Sequence, residues 1–160
     1  MTDESEDIEN LTFQLVNQRN IEYTLYHFFR LRAENERDPI AKVVYRKLRN
    51  DSRVHMIILE DAIRALGKKV PKRIMLEVIN FDVDTMVRRE ALMEDVEDAL
   101  EDLEAVSAKY FNIIADSFPD PSFSKLFKTI HEDEIVHRRL LDALKTRREV
   151  LRHEFKVSPR

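Results

Sequence analysis

Asp133-Glu134-Ile135-Val136-His137 sets a carboxylate and an imidazole three positions apart. On a helix, positions three apart share a face, so Glu134 and His137 project together. The stripe that carries them is otherwise apolar, with Phe123, Phe127, Ile130, Leu141 and Leu144 at helical spacing. A carboxylate and an imidazole aimed into a core have metal-ligand spacing, and each is unfavourable to bury alone. Upstream, Asp51-Ser52-Arg53-Val54-His55 repeats the Asp, Val and His of the string, with a hydroxyl in place of the carboxylate and Arg53 in place of Ile135.

The two strings belong to a longer repeat. Aligning Glu22 with Glu104, an offset of 82 positions, also superposes Phe29 on Phe111, Ala33 on Ala115, Asp38-Pro39 on Asp120-Pro121, Asp51 on Asp133, Val54-His55 on Val136-His137 and Leu59 on Leu141. Residue usage alone would give roughly two or three such identities over this length. The chain is therefore read as two duplicated helical hairpins.

Composition supports an all-α reading. One Gly and five Pro in 160 residues leave little material for the tight turns of sheets, while 43% hydrophobic and 36% charged residues suit long helices with charged outer faces. The length predicts one domain over residues 1–160, with a short N-terminal tail at 1–7 and a C-terminal tail at 153–160. No apolar run reaches the roughly 20 residues that span a bilayer, and the acidic N-terminus lacks the order of a signal peptide, so the expectation is a cytoplasmic protein with no membrane partner. The absence of Cys excludes disulfides, thiolate catalysis and thiolate-held metal centres, and leaves His and carboxylates as the available ligands. A net charge of −4 argues against a nucleic-acid partner.

Taken in order, the pattern predicts a first helix over 8–36, with Leu11, Leu15, Glu22, Phe29 and Ala33 on one stripe. A second begins at Asp38-Pro39, where Pro suits a first helical turn, and ends near Leu66 before Gly67. It carries Ala41, Tyr45, Leu48, Ser52, His55, Leu59, Ala62 and Leu66 inward. Residues 67–83 are too long and too apolar for a simple hairpin turn and are expected to form a packed crossover. A third helix over 84–117 turns Val96, Leu100, Leu103, Glu104, Tyr110, Phe111 and Ile114 inward and Glu101 away. A fourth runs over 122–152. Two hairpins joined by a long crossover make a four-helix bundle of pseudo-twofold symmetry, in which the repeated residues converge on the middle of the core.

Glu22, Ser52, His55, Glu104, Glu134 and His137 then face one point. Three carboxylates in an apolar core need compensation, which one or two divalent ions would supply; carboxylate and imidazole ligation suits iron, manganese or zinc.

A Glu on the first and third helices and Glu-x-x-His on the second and fourth form the ligand set of ferritin-like di-iron carboxylate proteins. The chain resembles that superfamily over nearly its whole length, and is most similar to its rubrerythrin-like branch. The resemblance implies Glu22 and Glu104 as terminal carboxylates, Glu134 as a bridging carboxylate, and His55 and His137 as one imidazole for each metal. It also implies that Asp51 and Asp133 each hold the ligand histidine of the opposite helix. Ser52 stands where the family has its other bridging Glu, and is too short to span two metals. The resemblance points to iron or to peroxide and oxygen handling; a redox enzyme of this kind would be an oxidoreductase drawing on an external electron donor, since the chain has no Cys-based rubredoxin domain. No catalytic residue is assigned. The competing reading is a metal-free helical module, a homodimer, in which Arg19, one turn before Glu22, neutralises Glu22 or Glu134 in place of a metal.

Overall fold

The computed structural model describes residues 3–76 and 93–157. Four helices form the chain's framework: α1 (Glu4–Asn35), α2 (Pro39–Ala65), α3 (Met93–Ser117) and α4 (Pro121–Val157), with no strand among the described residues. Local chemistry sets their ends. The Asp3 carboxylate accepts a hydrogen bond from the Ser5 amide at 3.2 Å, and Glu4, Glu6 and Asp7 occupy the first turn, where acidic groups favour the positive end of the helix dipole. That acidic turn starts α1 ahead of the expected Ile8. Asp38 caps α2 in the same way through the Ile40 amide, with Pro39 in the first turn, and Asp120 caps α4 through the Ser122 amide. The repeated Asp-Pro pair thus does the same work in both hairpins. Gly67 follows α2 at φ 74°, a left-handed conformation that suits glycine at a helix end. At the other end of the chain, α4 continues past the expected stop at Arg152, so part of the expected tail is helical. The expected start of the third helix at Asp84 and the second half of the crossover, 77–83, lie outside the described residues.

Helix α1 packs along α2, and α3 along α4; the hairpins then join through α1 against α3 and α2 against α4. The apolar interior is divided in two. At one end Leu25, Phe28, Phe29, Tyr45, Leu48, Leu100 and Leu141 pack together, and at the other Leu15, Leu59, Ile63, Phe111, Ile114 and Phe127 do so. Between them lies a buried polar layer. The predicted inward residues whose side chains are described follow this plan with four departures: Leu66, Leu103 and Phe123 are half-buried, and Tyr110 is 40% exposed; the side chain of Val96 lies outside the description. A helix face wider than the inward stripe ends at the bundle surface, which is where Tyr110 falls.

Two ionic locks secure the bundle outside its centre. Residues 71–76 lie against α1: the Ile74 amide donates to Asn20 Oδ1 and the Leu76 amide to Thr24 Oγ1, while the fully buried Arg19 donates to the carbonyls of Pro71 and Lys72. Arg19 also donates to Glu60 Oε2 at 2.8 Å, and Arg73 meets the same carboxylate at 2.7 and 3.0 Å. This overturns the expected role of Arg19. Its guanidinium is drawn to Glu60 on α2 and to the strap, and is used up there rather than at Glu22 or Glu134. The second lock was not anticipated: Glu97 is fully buried, takes two hydrogen bonds from Arg148, and accepts the Tyr45 hydroxyl at 3.0 Å. Burial, reinforced by Glu97, pushes the Tyr45 hydroxyl up to about 12.

Removing one member of a buried ion pair leaves the other desolvated and unpaired, a loss of about 3 kcal/mol or more. Arg73 still covers Glu60, so Arg19→Ala should destabilise the fold by about 3 kcal/mol rather than abolish folding, read as a lower urea midpoint. A shift below about 0.5 kcal/mol would contradict the strap's role.

Candidate metal centre

The polar layer is built from one position on each of α1 and α3 and from a pair one turn apart on each of α2 and α4. Glu22, Ser52, Glu104 and Glu134 are fully buried, and His55 and His137 nearly so. All six predicted residues therefore meet at one level. The imidazoles lie near parallel, ring centres 5.7 Å apart and planes inclined by 22°, with Phe111 edge-on to His55.

Each imidazole is held from outside and offered inward. Nε2 of His55 lies 3.0 Å from Asp133 Oδ2, and Nε2 of His137 lies 2.9 Å from Asp51 Oδ2. The aspartate of each string thus orients the histidine of the other hairpin. With Nε2–H donating to the aspartate, Nδ1 is turned toward the carboxylates and is the nitrogen free to act as a ligand. On the α1 side, His55 Nδ1 lies 2.9 Å from Glu134 Oε1 and 3.4 Å from Glu22 Oε1. On the α3 side, His137 Nδ1 is 3.4 Å from Glu104 Oε1 and 3.8 Å from Glu134 Oε2, too poorly aligned for a hydrogen bond at either.

Two overlapping ligand groups result. Glu22, His55 and Glu134 form one, and Glu104, Glu134 and His137 the other, with the candidate ligand atoms of each group within 4.8 Å of one another. Glu134 belongs to both, one oxygen facing each histidine. Its counterpart in the repeat is Ser52, whose hydroxyl is buried without a partner. Glu22 Oε2, both oxygens of Glu104, Glu134 Oε2 and His137 Nδ1 are likewise buried and unpartnered. Buried polar atoms are nearly always satisfied. Such a group of orphans at one level, all of them ligand-type atoms, fits a cation that completes the layer.

A rubrerythrin family model matches residues 21–145, from the residue before Glu22 to the residue after Leu144. The chain belongs to the rubrerythrin family. No curated protein and no solved structure matches it. Membership in this family and the two carboxylate–imidazole groups agree on a ferritin-like bundle with residues able to bind metal at its centre. The predicted supports Asp51 and Asp133 sit where the family resemblance placed them, whereas Arg19 does not reach the centre. Glu101, expected to face away, pairs with Lys145 at 3.1 Å. Among the described residues no helix is long and apolar enough to cross a membrane.

Without metal, protons balance the layer. Burial by itself would lower both histidines; Glu22 and Asp133 overcome it and raise His55 to about 10, and Asp51 and Glu104 raise His137 to about 9. Burial raises Glu104 above the usual carboxylate range. Asp51, though burial opposes it, is held down to about 2 by His137 and Lys47.

These shifts fix the sign of the pH dependence. A histidine raised above its ordinary value of 6.5 contributes stability that is complete below 6.5 and is lost as pH rises through about 9 to 10. Glu104, raised as well, acts in the same direction. The chelated protein should therefore lose thermal stability steadily from pH 6.5 to 10, measured by calorimetry, and saturating zinc should flatten that slope. A chelated protein whose midpoint is constant or rises over this interval would overturn the protonation scheme.

Proposed function

We propose that the protein is an iron-binding member of its family that handles peroxide or oxygen at an asymmetric centre. Glu104, Glu134 and His137 hold one ion, and Glu22, His55 and Glu134 a second and weaker one; manganese or zinc suits the same donors. The observation that carries this reading is the cluster of unpartnered ligand atoms between two dry apolar cores. Bound iron supplies the redox equivalents for reducing peroxide. The chain's own part is to orient Nδ1 of each histidine through Asp51 and Asp133, to exclude bulk water with the flanking cores, and to take up or release protons at His55, His137 and Glu104. With no cysteine in the chain, electrons come from an external donor, and the protein acts as an oxidoreductase in the cytoplasm, as a homodimer.

The asymmetry follows from Ser52. A serine hydroxyl cannot reach across two ions, so the two groups share one bridging carboxylate, Glu134, in place of two, and a second ion is held less firmly than the first. The metal-free alternative loses its main support, because Arg19 is committed to Glu60.

Metal analysis after reconstitution with ferrous iron and removal of excess should give close to one equivalent, since an oriented set of ionisable ligands binds once its protons are displaced. Less than about 0.3 equivalents of any transition metal would sink the proposal. Ser52→Glu should raise the stoichiometry toward two, and His137→Ala should lower affinity by about 100-fold or more, because it removes a direct ligand.

A further inference from the structure

A cavity of about 450 Å³ lies between α1, α3 and the strap. Phe13, Asn17 and Tyr110 stand at its mouth, and Ile21 and Leu76 form its sides. Its most deeply buried lining residue is Gln18. None of the described residues lining it is charged, in a chain where 36% of residues are.

Two side chains place the deepest part of this cavity one helical turn from the central carboxylates. Gln18 precedes Glu22 by one turn of α1, and Ser107 follows Glu104 by one turn of α3. The Ser107 hydroxyl donates to Gln18 Oε1 at 3.0 Å, and both side chains are buried. This neutral hydrogen bond is the wall between cavity and centre. The α2–α4 seam is closed differently, by the His55–Asp133 and His137–Asp51 pairs and by Lys47 on Asp51 at 2.8 Å. Charge-assisted bonds hold such a seam more firmly than a single neutral bond holds the other.

We propose that the α1–α3 cavity is the entry port of the centre, that Gln18 and Ser107 are its gate, and that it admits small uncharged molecules while excluding ions. An uncharged lining gives an ion nothing to replace its hydration, whereas the Gln18 and Asn17 amides can hydrogen-bond a neutral polar guest. The inference rests on the proposed metal centre only for what lies at the end of the path.

The test is independent of metal and uses the absence of native cysteine. Ser107 and Ser52 are both fully buried, so Ser107→Cys and Ser52→Cys in the chelated protein report access from the two sides. Neutral methyl methanethiosulfonate should modify the first at least about tenfold faster than the second, because a buried thiol reacts only where the reagent can reach it. Asn17→Trp, at an exposed position of the mouth, should slow the Ser107→Cys reaction about fivefold and leave Ser52→Cys unchanged. Anionic and cationic methanethiosulfonates should react more slowly than the neutral one at the Ser107 position, after correction for their rates with free thiol. Equal rates at the two serines, no effect of the Asn17 substitution, or no preference for the neutral reagent would each overturn the proposal. Gln18→Cys provides a second reporter on the same wall if Ser107→Cys does not fold. Metal analysis of the same protein separates failure of the port from failure of the centre.

Discussion

Three carboxylates buried at the middle of a bundle are the constraint from which the rest of this structure follows. Glu22, Glu104 and Glu134 are shut off from bulk solvent and have no guanidinium or ammonium at hydrogen-bonding distance among the described residues. The molecule treats its other buried carboxylates differently. Glu60 is saturated by Arg19 and Arg73, and Glu97 by Arg148 and Tyr45. A permanent cation is thus supplied wherever the charge is structural. At the centre, among the described residues, the groups able to carry positive charge are two imidazoles, whose charge can be given up. That difference marks the central layer as a place where protons and a metal cation exchange.

The remaining architecture serves the layer's position. Apolar clusters at both ends keep it dry, which strengthens every electrostatic interaction within it. The duplicated hairpins bring Glu22 opposite Glu104 and His55 opposite His137, and the crossed aspartate bonds tie each hairpin's histidine to the other hairpin. The departure from twofold symmetry is chemical and local. Glu134 shares its two oxygens between the histidines, and Ser52, its counterpart, shares nothing.

Much of this was legible in the sequence because it depends on local rules. The Asp-Pro caps, the apolar stripes and the repeat are short-range signals, and together they gave the four helices and the six central residues. The direction of Arg19 was not legible. It lies about 60° around α1 from Glu22, near enough to serve either side, and its choice depends on Glu60 and the strap, which are distant in sequence. Glu97 was missed although it stands two turns before Glu104 on the same stripe, a spacing that would have found it. Tyr110 was placed inward because an aromatic at helical spacing usually is, but α3 meets the surface there.

The central claim is that protons occupy the layer until a metal displaces them. Calorimetric titration of the chelated protein with zinc at pH 7, repeated in buffers of different ionisation enthalpy, counts the protons released. About one proton or more per bound ion is expected, drawn from the imidazolium that becomes its ligand, His137 in one group and His55 in the other, because ligands must be deprotonated to bind. Binding with no proton release, or no binding at all, would contradict it.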